Sequence, residues 1–180
     1  WAGIVTGVND CLDAVIGPLN VTAEYVDRIS AGDIPEEITD EYKGDFNEVK
    51  NNLNKCIRAV NGLVDEASML TDAAVEGKLE TRGDPSKFGG KWAGIVTGVN
   101  DCLDAVIGPL NVTAEYVDRI SKGDIPEKIT DTYNGDFNEI KNNLNACIDV
   151  MNGLLEETDK LIDATIEGKL ETRGDAEKFE

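Results

Sequence analysis

The residues best able to do chemistry in this sequence are its cysteines and its dense acids. Cys11, Cys56, Cys102 and Cys147 lie 45, 46 and 45 residues apart. If the chain stacks end to end at that interval, the sulfurs are held far beyond the roughly 7 Å Cα separation that a disulfide tolerates. They read as small buried hydrophobes in a reducing cytoplasm, with pairing across a symmetry axis as the alternative. No Cys-x-x-Cys pair is present, so a structural zinc site is not expected. Histidine is absent, which removes a phosphoacceptor histidine, imidazole ligation and Ser-His-Asp catalysis. The acids Asp33, Glu36, Glu37, Asp40, Glu41 and Asp45 are rich in oxygen ligands. They lack the alternating ligand pattern and sixth-position glycine of a calcium loop, and read as a solvated acidic face. Asp65-Glu66 and Glu156-Glu157 are adjacent acids on a helical stretch and read as surface charge. The glycines make no nucleotide-binding signature. The sequence therefore points away from an enzyme, and no cofactor or metal is expected.

Charge narrows the partners. Seventeen basic residues against 36 acidic ones give a formal charge of −19, which argues against nucleic acid and anionic membrane surfaces, since both need a basic patch. No apolar run reaches the roughly 18 residues of a membrane span, and no signal peptide opens the chain. The seam begins at residue 1 with no cap before it, so the expectation is a piece of a longer protein.

The organising element is the stretch 46–77. Phe46, Val49, Leu53, Cys56, Val60, Leu63, Ala67, Leu70 and Ala74 fall at alternating steps of three and four, a heptad pattern that predicts a helix with a narrow apolar seam. At 1.5 Å per residue such a helix is roughly 48 Å long. The seam recurs as Phe137, Ile140, Leu144, Cys147, Met151, Leu154, Thr158, Leu161 and Thr165. One narrow seam builds no core by itself and requires other helices beside it.

These elements repeat. Residues 1–30 and 92–121 are identical, an offset of 91, and a weaker half-offset aligns Trp1, Phe46, Trp92 and Phe137. It also aligns Asn9, Asn54, Asn100 and Asn145, and Gly32, Gly77, Gly123 and Gly168. The unit is thus about 45 residues, in two alternating subtypes. Each unit reads as a short helix, as in 18–32, with Pro18 placed in its first turn and Gly32 at its end. A connector (33–44) follows, with Ile34 and Ile38 four apart, and then a helix opening on Asp45. A connector of this length exceeds the roughly 2–8 residues of a helix hairpin. Extended, it spans about 40 Å, enough to return along the first helix so that both helices point the same way. Heptads continue unbroken at Gly62–Leu63 and Gly153–Leu154 but stutter at Gly17–Pro18 and Gly108–Pro109.

Together these features resemble HAMP domains, in particular the tandem poly-HAMP arrays of bacterial methyl-accepting chemotaxis proteins. The resemblance is carried by the early prolines Pro18 and Pro109 and the turns Gly32-Asp33-Ile34 and Gly123-Asp124-Ile125. The paired connector hydrophobics (Ile34 with Ile38, Ile125 with Ile129) and the acidic starts of helix two, Asp45-Phe46 and Asp136-Phe137, carry it too. It implies an all-α fold: tandem units stacked coaxially as parallel four-helix coiled-coil bundles, formed by a homodimer. The units fall at 18–62, 63–108 and 109–153, with a truncated second helix at 1–17 and a first helix plus connector at 154–180. The alternate units lack the early proline and carry Leu79 but Gly83 in the connector, with Gly174 in the corresponding place, which implies looser packing.

The implied function is a cytoplasmic signal relay between input and output domains of one parent chain; the alternative is a passive coiled-coil spacer. The residues expected to carry structure and signalling are Pro18, Gly32, Ile34, Ile38, Asp45, Phe46, Leu53, Gly77 and Leu79 in the first half. In the second half they are Pro109, Gly123, Ile125, Ile129, Asp136, Phe137 and Leu144. Leu53→Asp places an unpaired charge in the seam. It is expected to unfold the bundle, read as loss of helical circular dichroism; full helicity in that variant would exclude the seam assignment.

Overall fold

The computed structural model describes residues 1–179. Four helices carry the chain: α1 (Ala2–Ser30), α2 (Asp45–Val75), α3 (Lys91–Ser121) and α4 (Asp136–Ile166). Short 3-10 turns lie at Pro85–Lys87 and Ala176–Phe179, and there is no strand among the described residues. Two compact units are present, one spanning Trp1–Cys102 and the other beginning at Leu103. No helix is long and apolar enough to cross a membrane among the described residues.

Each helix ends by the same device. Gly32, Gly77, Gly123 and Gly168 adopt φ values of 82°, 75°, 79° and 76°, a left-handed conformation open to glycine without steric cost. The Gly77 amide bonds to Ala74 O and the Lys78 amide reaches back to Ala73 O at 2.8 Å, which satisfies carbonyls left over at the helix end. Acids occupy the first turns of α2 (Asp45, Glu48) and α4 (Asp136, Glu139), against the positive end of the helix dipole.

The prolines depart from expectation. Pro18 lies inside α1 and Pro109 inside α3, not in a first turn, and the helix is continuous through each. An interior proline removes one backbone bond at a cost of about 3 kcal/mol. Thr22 and Thr113, one turn on, donate their hydroxyls to Pro18 O and Pro109 O at 2.8 and 2.9 Å. The helix is continuous through each proline, so the heptad stutter marks a change of phase and not a break.

Within each unit the connector runs back along the helix that follows it. Glu37 pairs with Arg58, the Ile38 backbone meets Asn54, and Lys50 donates to Asp40 O at 2.9 Å, so rising connector numbers meet falling helix numbers. In the second unit Pro109, Val112 and Thr113 line a crevice with Tyr133, Phe137 and Ile140. The start of one helical segment therefore lies beside the start of α4, and the two point the same way.

The apolar interior is small. In the first unit it comprises Ile38, Ile57, Ala73 and Val96, and in the second Ile107, Ile129, Ile148 and Ala164. On α2 the buried residues are Asn54, Ile57, Glu66 and Ala73. These residues lie on the two flanks of the predicted seam: Asn54 and Ile57 follow Leu53 and Cys56, whereas Glu66 and Ala73 precede Ala67 and Ala74. The seam residues Leu53, Val60, Leu63 and Leu70 are half-buried, and Val49, Cys56, Ala67 and Ala74 are exposed. All four cysteines are exposed within the single chain, where they lie on the seam. Ile57 and Ile148 are the two largest fully buried side chains. Ile57→Ala is expected to cost about 2–4 kcal/mol in urea unfolding.

Candidate functional site

The connectors are held by a recurring side-chain clamp. Asn54 accepts from the Ile38 amide at 2.8 Å and donates through Nδ2 to the Ile38 carbonyl at 2.9 Å. Asn145 treats Ile129 in the same way, at 2.8 and 3.0 Å. Asn100 holds Gly83, both bonds at 2.9 Å. A planar amide offers a donor and an acceptor side by side, so one asparagine satisfies both backbone groups of an extended residue that has no strand neighbour. The asparagines were visible in the sequence as a repeat position, but nothing in spacing alone assigned them this contact.

What the clamp presses into the interior alternates. Ile38 and Ile129 bury their side chains there. Gly83 has none, and a Cβ built on it would stand 2.7 Å from Val96 Cγ1. The space that isoleucine fills in one connector is occupied in the other by Val96, with Leu70 and Glu66 close by. Gly83 is therefore a close-approach residue and not a loosened version of Ile38.

Glu66 and Glu157 correct the reading of the paired acids as surface charge: both are buried. Glu66 accepts from the Asp84 amide at 3.1 Å and from Lys87 Nζ at 2.5 Å. Glu157 accepts from the Asp175 amide at 3.1 Å and from Lys178 at 2.8 Å, with Lys160 at 3.2 Å. The lysine bonds, then the backbone amides, hold both carboxyls below the usual range, Glu157 at about 2. The sequence signal was present, since each acid lies one turn from its seam residue, but helical periodicity does not say that a connector will cover that flank. Asp65, next to Glu66, is exposed as predicted for surface charge.

The family model described as HAMP domain matches residues 1–62 and 87–153. The chain belongs to the HAMP domain family. No solved structure matches it. HAMP domains are signal-relay linkers of sensor proteins. The matched residues leave out 63–86, the stretch that holds Glu66 and Gly83.

In this HAMP chain the other residues singled out from sequence sit as follows. Ile34 and Ile125 are half-buried, as are Pro18, Pro109, Phe46, Phe137, Leu53 and Leu144, while Asp45 and Asp136 are exposed at helix starts. Leu79 is exposed, so the alternate connector has no counterpart to the half-buried Ile34. Pro35 and Pro126, next along the connectors from Ile34 and Ile125, are buried. A second ion pair crosses from connector to helix with its polarity reversed between copies: Glu37 with Arg58 in one, Lys128 with Asp149 in the other.

The Glu157 carboxyl is depressed in the folded chain, so its contribution is present above the ordinary carboxylate value of about 4.3 and is lost as pH falls toward about 2. Protection of the Asp175 amide from hydrogen exchange is expected to fall across that window and to lose its pH dependence in Glu157→Gln.

Proposed function

We propose that the chain is the relay segment of a cytoplasmic bacterial sensor of the chemoreceptor type, working as a parallel homodimer whose units stack coaxially. Each unit, 18–62, 63–108 and 109–153, forms a four-helix bundle across the dimer axis and passes a change of packing from an input domain to an output domain. The observation that carries this reading is the seam. Val49 and Cys56 on α2, Val106 on α3 and Val26 on α1 stay exposed when the connectors are in place. A second apolar stripe at heptad spacing on an already-clamped helix fits a partner helix of the same kind.

Alternation supports a relay over a spacer. Apolar clamps at Ile38 and Ile129 alternate with an ionic clamp at Glu66, so neighbouring units answer the same displacement with different chemistry. The α2 helix runs unbroken from one unit into the next through Gly62–Leu63, which couples them mechanically. A passive rod gains nothing from either feature. Inserting residues that rotate helix phase at 61–63 in the parent protein is expected to invert or lock its output. An output that follows the input unchanged would leave the spacer reading standing.

A further inference from the structure

Residues 31–62 and 122–153 are close copies, but where α2 has Lys55, Arg58 and Ala59, α4 has Ala146, Asp149 and Val150. On α2 these residues form one wall of a cleft of about 420 Å³, within the roughly 300–1,000 Å³ of small-molecule sites. The connector supplies another wall through Lys87, Phe88 and Gly89, and Trp92, in the first turn of α3, completes the lining. The cleft lies wholly within the first compact unit, and of its lining residues only Trp92 stands at a seam position. Phe88 is seated directly on the helix: a Cβ built on Gly62 would stand 3.0 Å from Phe88 Cε1. The glycine admits the ring.

The lining is cationic where the chain is not. The sequence has 36 acids to 17 bases, whereas the cleft sets Lys55, Arg58 and Lys87 against Asp65 and Glu66. Arg58 pairs with Glu37 and Lys87 with Glu66, while Lys55 has no carboxylate partner among the described residues. Positions 55, 58, 59 and 62 share one face of the helix, and four residues rise roughly 6 Å. An anion held between Lys55 and Arg58 therefore lies about one turn from the Phe88 ring over Gly62. Trp92 is 42% exposed and offers a second ring that is only partly covered. The walls are fixed in advance. Asn100 holds Gly83, Glu66 accepts from the Asp84 amide and Lys87, and the Asp84 carboxylate accepts from the Ser86 amide and hydroxyl at 3.0 and 2.6 Å. Little ordering of the connector remains to oppose binding.

We infer that this cleft binds a small planar aromatic carboxylate, its anion held by Lys55 and the Arg58 guanidinium and its ring system against Phe88 and Trp92. The guanidinium has donors enough to hold Glu37 and the ligand together. Such a ligand touches α2, the connector and the start of α3 at once, so it fixes the alternate unit from within. It gives the chain a chemical input of its own, additional to any delivered by a neighbouring domain. Binding requires neither the dimer nor the relay of the proposed function.

The test is a titration of the isotope-labelled 180-residue chain with naphthoate, followed by nuclear magnetic resonance. Trp1 is the internal reference, since segments 1–30 and 92–121 are identical and Trp1 is fully exposed. The expected result is a saturable shift of the Trp92 indole and Gly89 amide signals with Trp1 unmoved. Naphthalenemethanol, the neutral analogue, is expected to bind roughly tenfold more weakly. Lys55→Ala, at an exposed side chain, is expected to weaken naphthoate binding roughly fivefold. Combining Glu37→Lys, Lys55→Ala and Arg58→Asp installs the residues of the other copy, where Lys128 pairs with Asp149. That variant is expected to keep its helical circular dichroism and lose the shift. No saturation of Trp92 at roughly 10 mM naphthoate overturns the inference. So do equal shifts of Trp1 and Trp92, a neutral analogue that binds as well as the anion, or Lys55→Ala and combined variants that bind like the parent chain.

Discussion

The structure depends on the pairing of an asparagine amide with both backbone groups of a single connector residue. An extended segment carries one donor and one acceptor per residue, and against a helix it finds no strand to satisfy them. Asn54, Asn100 and Asn145 supply the missing partner at one fixed height on α2, α3 and α4. Once that height is set, the connector must return along the helix, both helices of a unit must run parallel, and the residue under the clamp must face the interior. Exchanging the clamp for an apolar residue of similar size would leave two buried backbone groups unpaired, which costs more than the net value of the bonds themselves.

The helices α2 and α4 consequently carry two kinds of surface with separate tasks. One is covered by the connector of the same chain and includes Ile57 and Ile148. The other is the heptad seam, which the chain leaves exposed or half-exposed along α2. The division suits a chain with few aromatics and 29% charged residues: it has a thin intrachain layer and leaves its larger apolar surface uncovered. The buried glutamates fit the same scheme. Lys87 and Lys178 reach them from the connector, so charge is used where Gly83 and Gly174 provide no side chain to bury.

Much of this was legible in the sequence because it is periodic. The heptads, the helix-ending glycines at Gly32 and Gly77, and the connector pair Ile34 and Ile38 each follow from spacing and residue type. The clamp was not legible, although Asn54 and its equivalents were seen to recur, since periodicity reports which positions share a face and not what lies opposite. Glu66 was misread for a related reason. An acid beside a seam is solvated on an isolated helix, and only the return path of a connector buries it. Gly83 looked like a missing hydrophobe because its filling comes from Val96, a residue thirteen positions on in the helix that follows the connector. Pro18 was expected at a helix start on intrinsic preference, yet α1 continues on both sides of it.

The reversed ion pairs have a meaning for how such a chain keeps its nearly duplicate parts distinct. Glu37 with Arg58 and Lys128 with Asp149 are each exposed and contribute little to stability on their own. Their value lies in the pairings they forbid. A connector transplanted from one copy to the other would set Glu37 against Asp149 or Lys128 against Arg58, like charge facing like. After duplication, two changes that compensate each other make otherwise similar pieces non-interchangeable, so each connector carries an address for its own helix.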